Sequence, residues 1–295
     1  MKQHRHITLS ALACAICCIA IVCGIWRGIS CHKETRRIAE RKEFLAKFGI
    51  DSDGTQEFVS LPRALPHNAL AARLGEKLFV DKRLARNPYR VCGACHRLNE
   101  GGIDARALDG RLPRTVYNAV FADVFLHDGS VTGFPALVRY MIESPNHCAG
   151  GALSNAVVRL AADEKLRTLF QTAYADGLTE NNLLDAFGQY QRTLFSSGLP
   201  FDHWCAGRTN ALTAVQTSGF AIFRQRKCTD CHFGPALGTL KVANGKKVPG
   251  LRGLSQRRSY LPDARTDLGA VLTLMPGGDV EPEDRRALTA FLKTL

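Results

Sequence analysis

Two five-residue motifs constrain this chain more than any other feature. Cys92-Gly93-Ala94-Cys95-His96 and Cys228-Thr229-Asp230-Cys231-His232 both read C-x-x-C-H, the signature of c-type heme attachment. Two thiols on one short turn meet the two vinyl groups of one porphyrin and form thioethers. The histidine that follows comes up beneath the iron as its axial ligand. A lone C-x-x-C is equally half a zinc site or a redox disulfide. Here each pair runs straight into His, and no further C-x-x-C or H-x-x-x-H completes a zinc set. The expectation is two covalently bound hemes c, held by Cys92, Cys95, Cys228 and Cys231. His96 and His232 are the iron ligands, and the function is redox chemistry at iron.

The N-terminus points to export. Lys2, Arg5 and two histidines precede an uncharged run from Ile7 to Trp26, about long enough to cross a bilayer as a helix. It exceeds the usual signal-peptide core, and no clean A-x-A site follows. An uncleaved anchor is the first reading. Cleavage after Gly28-Ile29-Ser30 and lipidation at Cys31 are the rivals. All three place the rest of the chain outside the cytoplasm, in the periplasm of a bacterium, with membrane contact through the N-terminal segment. Of 11 cysteines, five lie in or beside this segment and four belong to the motifs. Cys148 and Cys205 remain, either as a disulfide or as two free thiols. The formal net charge is +12. A basic surface steers an acidic electron donor or sits near anionic lipid; scattered solubility charge is the alternative. Nucleic-acid binding is not expected of an exported chain.

Periodicity predicts helices over His32–Phe48, Ala69–Val80, Thr115–Phe121, Phe134–Ile142, Asn155–Ala175, Glu180–Leu194, Ala211–Phe223 and Glu281–Leu295. Strand signals are sparse. The fold class is therefore mainly α: two c-type cytochrome-like heme domains packed against each other, preceded by an N-terminal hydrophobic helix. The join falls at Ser196-Ser197-Gly198-Leu199-Pro200. The organisation reads as 1–30 anchor or signal peptide, 31–60 charged helical linker, 61–200 N-terminal heme domain and 201–295 C-terminal heme domain.

Further motifs are recognisable between Leu61 and Leu295. They are the stretch Leu74-Gly75-Glu76-Lys77-Leu78-Phe79-Val80-Asp81-Lys82-Arg83-Leu84; Gly101-Gly102-Ile103-Asp104; Arg111 with Thr115, Val116 and Asn118; Phe201-Asp202; Lys247-Val248-Pro249-Gly250-Leu251-Arg252; and the closing Ala290-Phe291-Leu292-Lys293-Thr294-Leu295. With these the chain resembles the bacterial di-heme cytochrome c peroxidase family, which includes MauG. The resemblance implies that the C-terminal heme takes electrons from a small donor protein, a cytochrome c or a cupredoxin. It implies that the N-terminal heme reduces hydrogen peroxide. It also places a methionine across the second iron, seven residues after Leu268, which is Met275. A His/Met pair raises heme potential; a gap-filling core methionine is the alternative. Family members are often homodimers, although the segment between His232 and Lys247 is shorter here than is usual among them.

Departures from the family pattern cluster around the first heme. No histidine lies between Asp104 and Arg111, where the family often has one that caps the resting iron. The tryptophan expected between the hemes is His127. The distal Gln falls on Leu137 and the distal Glu on His147. A calcium-binding Asn falls on Leu112, which puts interdomain calcium in doubt, and the second-domain HDG is Pro262-Asp263-Ala264. Cleaving peroxide needs a base to move a proton between its oxygens, and a neutral imidazole serves as well as a carboxylate. His147 is thus the candidate acid–base residue. Direct ligation of the iron by His147 or His127 is the competing reading, and would make the chain a non-enzymatic electron carrier. A surface histidine is the third. A MauG-like oxidase of a partner protein is a further alternative, with Tyr117, Tyr140 or Tyr260 standing in for the lost tryptophan.

Overall fold

The computed structural model describes residues 35–54, 56–103, 113–238, 240, 242–257, 259–260 and 267–295. The chain divides into two compact units, Met1–Gln56 and Glu57–Leu295. The first contains helix α1 (35–46). Arg41 folds its return loop back by donating to the Gly54 and Gln56 carbonyls at 2.6 and 3.1 Å. The apolar run Ile7–Trp26 lies outside the described residues, among which no helix is long and apolar enough to cross a membrane.

The second unit is mainly helical. In chain order it comprises α2 (Ala69–Phe79), α3 (Cys92–Cys95), the hairpin of β1 (Val124–Phe125) and β2 (Val131–Thr132), α4 (Phe134–Glu143), α5 (Leu153–Ala161), α6 (Glu164–Ala173), α7 (Glu180–Gln191), α8 (Pro200–Cys205), α9 (Ala214–Gln225), the hairpin of β3 (Val242–Ala243) and β4 (Lys246–Lys247), α10 (Leu268–Leu272) and α11 (Pro282–Leu292). Both hairpins are antiparallel, with Val124 opposite Thr132 and Val242 opposite Lys247.

Two buried clusters divide this unit. One gathers Leu74, Leu78, Ile142, Leu153, Leu160, Phe170, Leu183 and Tyr190. The other gathers Phe201, Phe220, Phe223, Leu268, Leu288, Phe291 and Leu295. Each is built around one crossing of long helices, α2 on α7 and α9 on α11. Both crossings turn on a glycine. A Cβ at Gly75 would lie 2.1 Å from the Ala186 carbonyl oxygen, and one at Gly219 would lie 2.0 Å from that of Ala287. Only a residue without a side chain lets the backbones approach this closely. Both entering helices are capped. The Asn68 side chain accepts from Leu70 and Ala71 N–H, and Thr213 accepts from Gln216 N–H in a reciprocal capping box.

Two helix expectations need correction. The run Asn155–Ala175 is two helices, α5 and α6. It breaks at Asp163, whose carboxylate caps α6 by accepting from Leu166 N–H at 3.1 Å. Thr115–Phe121 is not a helix. Its backbone is extended or turned until a short 3₁₀ turn at Ala119–Phe121, because Asn118 takes a left-handed conformation with φ 64°. Its buried carboxamide accepts from Ser196 N–H at 2.9 Å and donates to the Arg252 carbonyl at 3.4 Å. Separately, residues 58–61, which the sequence divides between linker and N-terminal heme domain, pack with the second cluster. Phe58 meets Phe201 and Phe220 with ring centroids 5.6 and 5.4 Å apart. Leu61 N–H donates to Asp202 at 3.1 Å. Asp202 also pairs at 2.8 Å with Arg252, both side chains being 1% exposed.

Candidate heme-attachment sites and the cleft between them

Both motifs fold into the same local device. Cys92–Cys95 forms a single helical turn and Cys228–Asp230 a 3₁₀ turn. Each histidine N–H returns to the carbonyl of the first cysteine at 2.9 Å. All four thiols and both imidazoles are half-buried, so each motif keeps an open side. His96 Nδ1 lies 3.2 Å from the Gly102 carbonyl, and His232 Nδ1 lies 3.1 Å from that of Leu237. A carbonyl only accepts, so Nδ1 carries the proton and Nε2 keeps its lone pair. That is the tautomer an iron ligand needs, oriented by the outer partner. Burial holds both imidazoles below the ordinary histidine pKa, and the carbonyls partly oppose it. The donor set of each motif therefore fits a thioether-linked heme.

The surroundings of the two histidines differ. His147 lies close enough to His96 to act on it electrostatically. It follows α4, where its Nδ1 sits 3.1 Å from Ser144 Oγ, and the Tyr140 ring lies 5.5 Å away. Near His232 stands Phe223, at 6.4 Å, one of the packed rings of the second core. Met275 occupies the turn after α10, with its N–H on the Leu272 carbonyl at 3.0 Å. This turn lies beside the second motif, since a Cβ at Gly277 would come within 2.9 Å of the Arg226 carbonyl oxygen.

His127 is held by the second half of the chain. It lies in the β1–β2 hairpin, where its carbonyl accepts from Lys247 N–H at 2.8 Å. It lines a cleft shared with Arg114, Tyr117, Lys247, Arg257 and Tyr260. Burial lowers the Arg114 pKa. Burial first, and the Arg114 charge second, bring Lys247 down to about 7. Burial likewise takes Arg257 to about 10.

Two groups escaped the sequence reading. Cys148 does not pair with Cys205. Its thiol lies close enough to Cys92 that, together with burial, it pushes the Cys92 thiol well above its usual pKa, while Cys205 packs on the second core. The cleft cations were missed as well. Lys247 stood out only as part of a motif, and nothing local joins it to Arg114. Asp104, Arg111, Leu112 and Pro262-Asp263-Ala264 lie outside the described residues.

Residues 69–210 match the family model described as di-haem cytochrome c peroxidase. The chain is 29% identical to cytochrome c peroxidase Ccp of Escherichia coli K12, over 92% of this chain and 69% of that protein. It is 30% identical to cytochrome c551 peroxidase of Nitrosomonas europaea, over 78% of this chain and 81% of that protein. Among solved structures, a MauG-like protein associated with microbial copper homeostasis superposes with a TM-score of 0.66 at 18% identity. That match covers 80% of this chain and 92% of the other, and shares the fold.

Proposed function

The chain belongs to the di-haem cytochrome c peroxidase family and is a peroxidase-type oxidoreductase; on that premise we propose that it is an exported enzyme that reduces hydrogen peroxide to two waters. Two protons and two electrons are consumed, the electrons arriving from a small redox protein such as a cytochrome c or cupredoxin. Cys92, Cys95 and His96 would hold one heme, and Cys228, Cys231 and His232 the other. When bound, the hemes supply the electrons and, at the first motif, a coordination position for peroxide.

The observation that carries this reading is the asymmetry between two otherwise equal histidines. His96 has a second imidazole, His147, within electrostatic reach. Among the described residues none acts on His232. Ser144 makes His147 usable in both directions. Its hydroxyl can accept from Nδ1–H, leaving Nε2 as a base, or donate to Nδ1, leaving Nε2–H as an acid. His147 would then take a proton from one peroxide oxygen and return it to the other. Met275 is assigned as the second ligand of the His232 heme. The turn that carries it lies against Arg226, two residues before Cys228.

The test is stopped-flow absorption of the heme-loaded chain mixed with stoichiometric hydrogen peroxide, in oxidised and half-reduced forms. A fast change in the Soret band of one heme is expected in the oxidised form, without prior reduction. No reaction in either form would make the chain an electron carrier with a capped iron. Met275→Ala is expected to lower the potential of the second heme and leave the first unchanged, read by spectroelectrochemical titration.

A further inference from the structure

The cleft between the two motifs holds three cations and, among the described residues, no carboxylate paired with any of them. Arg114 donates through one terminal nitrogen to the Lys247 carbonyl at 3.1 Å, while its Nε is buried without a hydrogen-bond partner. Lys247 is 7% exposed, and its ammonium lies 4.8 Å from the centre of the Phe125 ring. Arg257 donates to the Arg252 carbonyl at 2.5 Å. Buried charge without a counter-charge is costly. Lys247 is the buried one of the three, Arg114 and Arg257 being half-buried, and three cations lining one cleft suit an anion.

The position of the cleft says which anion. Thr115, next to Arg114, donates its hydroxyl to the Gly101 carbonyl at 2.7 Å, one residue before the carbonyl that orients His96. Pro249, two residues after Lys247, offers its backbone to His232. The cations therefore sit between the two histidine loops. Arg114 comes from the first half, and Lys247 and Arg257 from the second. We propose that Arg114, Lys247 and Arg257 are the receptor for the propionate carboxylates of both hemes, so that the cofactors' edges clamp one half of the protein to the other. Guanidinium forks suit paired carboxylate oxygens. The inference rests on the reading that both motifs carry heme.

The experiment compares the heme-loaded full chain with Arg114→Met, Lys247→Met and Arg257→Met. Heme content and the midpoint potential of each heme are measured in every sample. Removing one cation should lower the reduced-to-oxidised ratio of at least one heme about tenfold at fixed ambient potential, as for a charge roughly 10 Å away at an effective dielectric of about 20. Arg114→Lys should restore most of that loss. Two hemes with unmoved potentials in all three variants would overturn the proposal and assign the cations to a protein carboxylate. Fewer than two hemes in the wild type would overturn the reading beneath it. Resonance Raman spectra of the wild type give an arm that needs no variant: propionate bending bands of ion-paired carboxylates support the clamp, and bands of free ones defeat it.

Discussion

Around His96 the first half gathers Ser144, Tyr140 and a second imidazole, His147. Around His232 the second half gathers Phe223 and, beyond it, Phe291, Phe220, Phe201 and Trp204, whose neighbouring ring centroids lie 5.0 to 5.8 Å apart. The histidines themselves are held alike, each by a backbone carbonyl at Nδ1. The C-x-x-C-H turn is thus constant, and what differs is the shell around it. Hydroxyl and imidazole groups can move protons. A wall of packed rings offers none, and suits an iron that only gains and loses electrons.

The sharpest way to break this contrast is His147→Ala. Losing a general acid–base group should slow the reaction with peroxide by about 10²–10⁴-fold, while both hemes keep their absorption in the absence of peroxide. A variant that reacts at the wild-type rate would remove the proton-handling role from the first half. The next effect belongs to the second half alone. Asp202→Ala strands the Arg252 guanidinium at 1% exposure and should cost about 3–5 kcal/mol, seen as a lower denaturant midpoint. The visible ion pairs of the first half, such as Arg83 with Asp163, are partly exposed and screened, so their loss should matter far less.

The glycines at the helix crossings test whether the two cores are separately built. Gly75→Ala and Gly219→Ala should each destabilise by about 1–3 kcal/mol through overpacking. Hydrogen exchange should show α2 and α7 loosened by the first, and α9 and α11 by the second. Equal loosening of both pairs by either change would mean a single cooperative core. Smallest are the caps. Asn68→Ala and Thr213→Ala should each cost about 1 kcal/mol, read from thermal midpoints, with near-equal values expected from their matching roles.

The two C-x-x-C-H turns are legible because each is local: five consecutive residues contain the whole turn. Met275 is named only by its spacing to Leu268, and the turn that carries it lies by the second motif. The rest depends on long-range packing. Nothing near Cys148 in the sequence announces that its thiol meets Cys92. Arg114 and Lys247 are 133 residues apart, and a lysine that follows another, Lys246, reads as surface until the fold closes over it. The Asn155–Ala175 periodicity runs on both sides of Asp163, and the sequence does not mark the break because Asp is also common within helices' first turns. Asn118 was noticed as a motif residue, but its work, joining the 113–121 segment to Ser196 and Arg252, is invisible without coordinates.

The docking of residues 58–61 on the second core sets an order of events during synthesis. Leu61 leaves the ribosome 141 residues ahead of Asp202, its hydrogen-bond partner. At about 5–20 residues per second that interval is roughly 7–30 s. Phe58 must wait at least as long for Phe201 and Phe220, and longer still for the closing α11. The first motif thus emerges from the ribosome while the segment just upstream of it still lacks its partners. The beginning of this unit is among the last parts of it to reach its place.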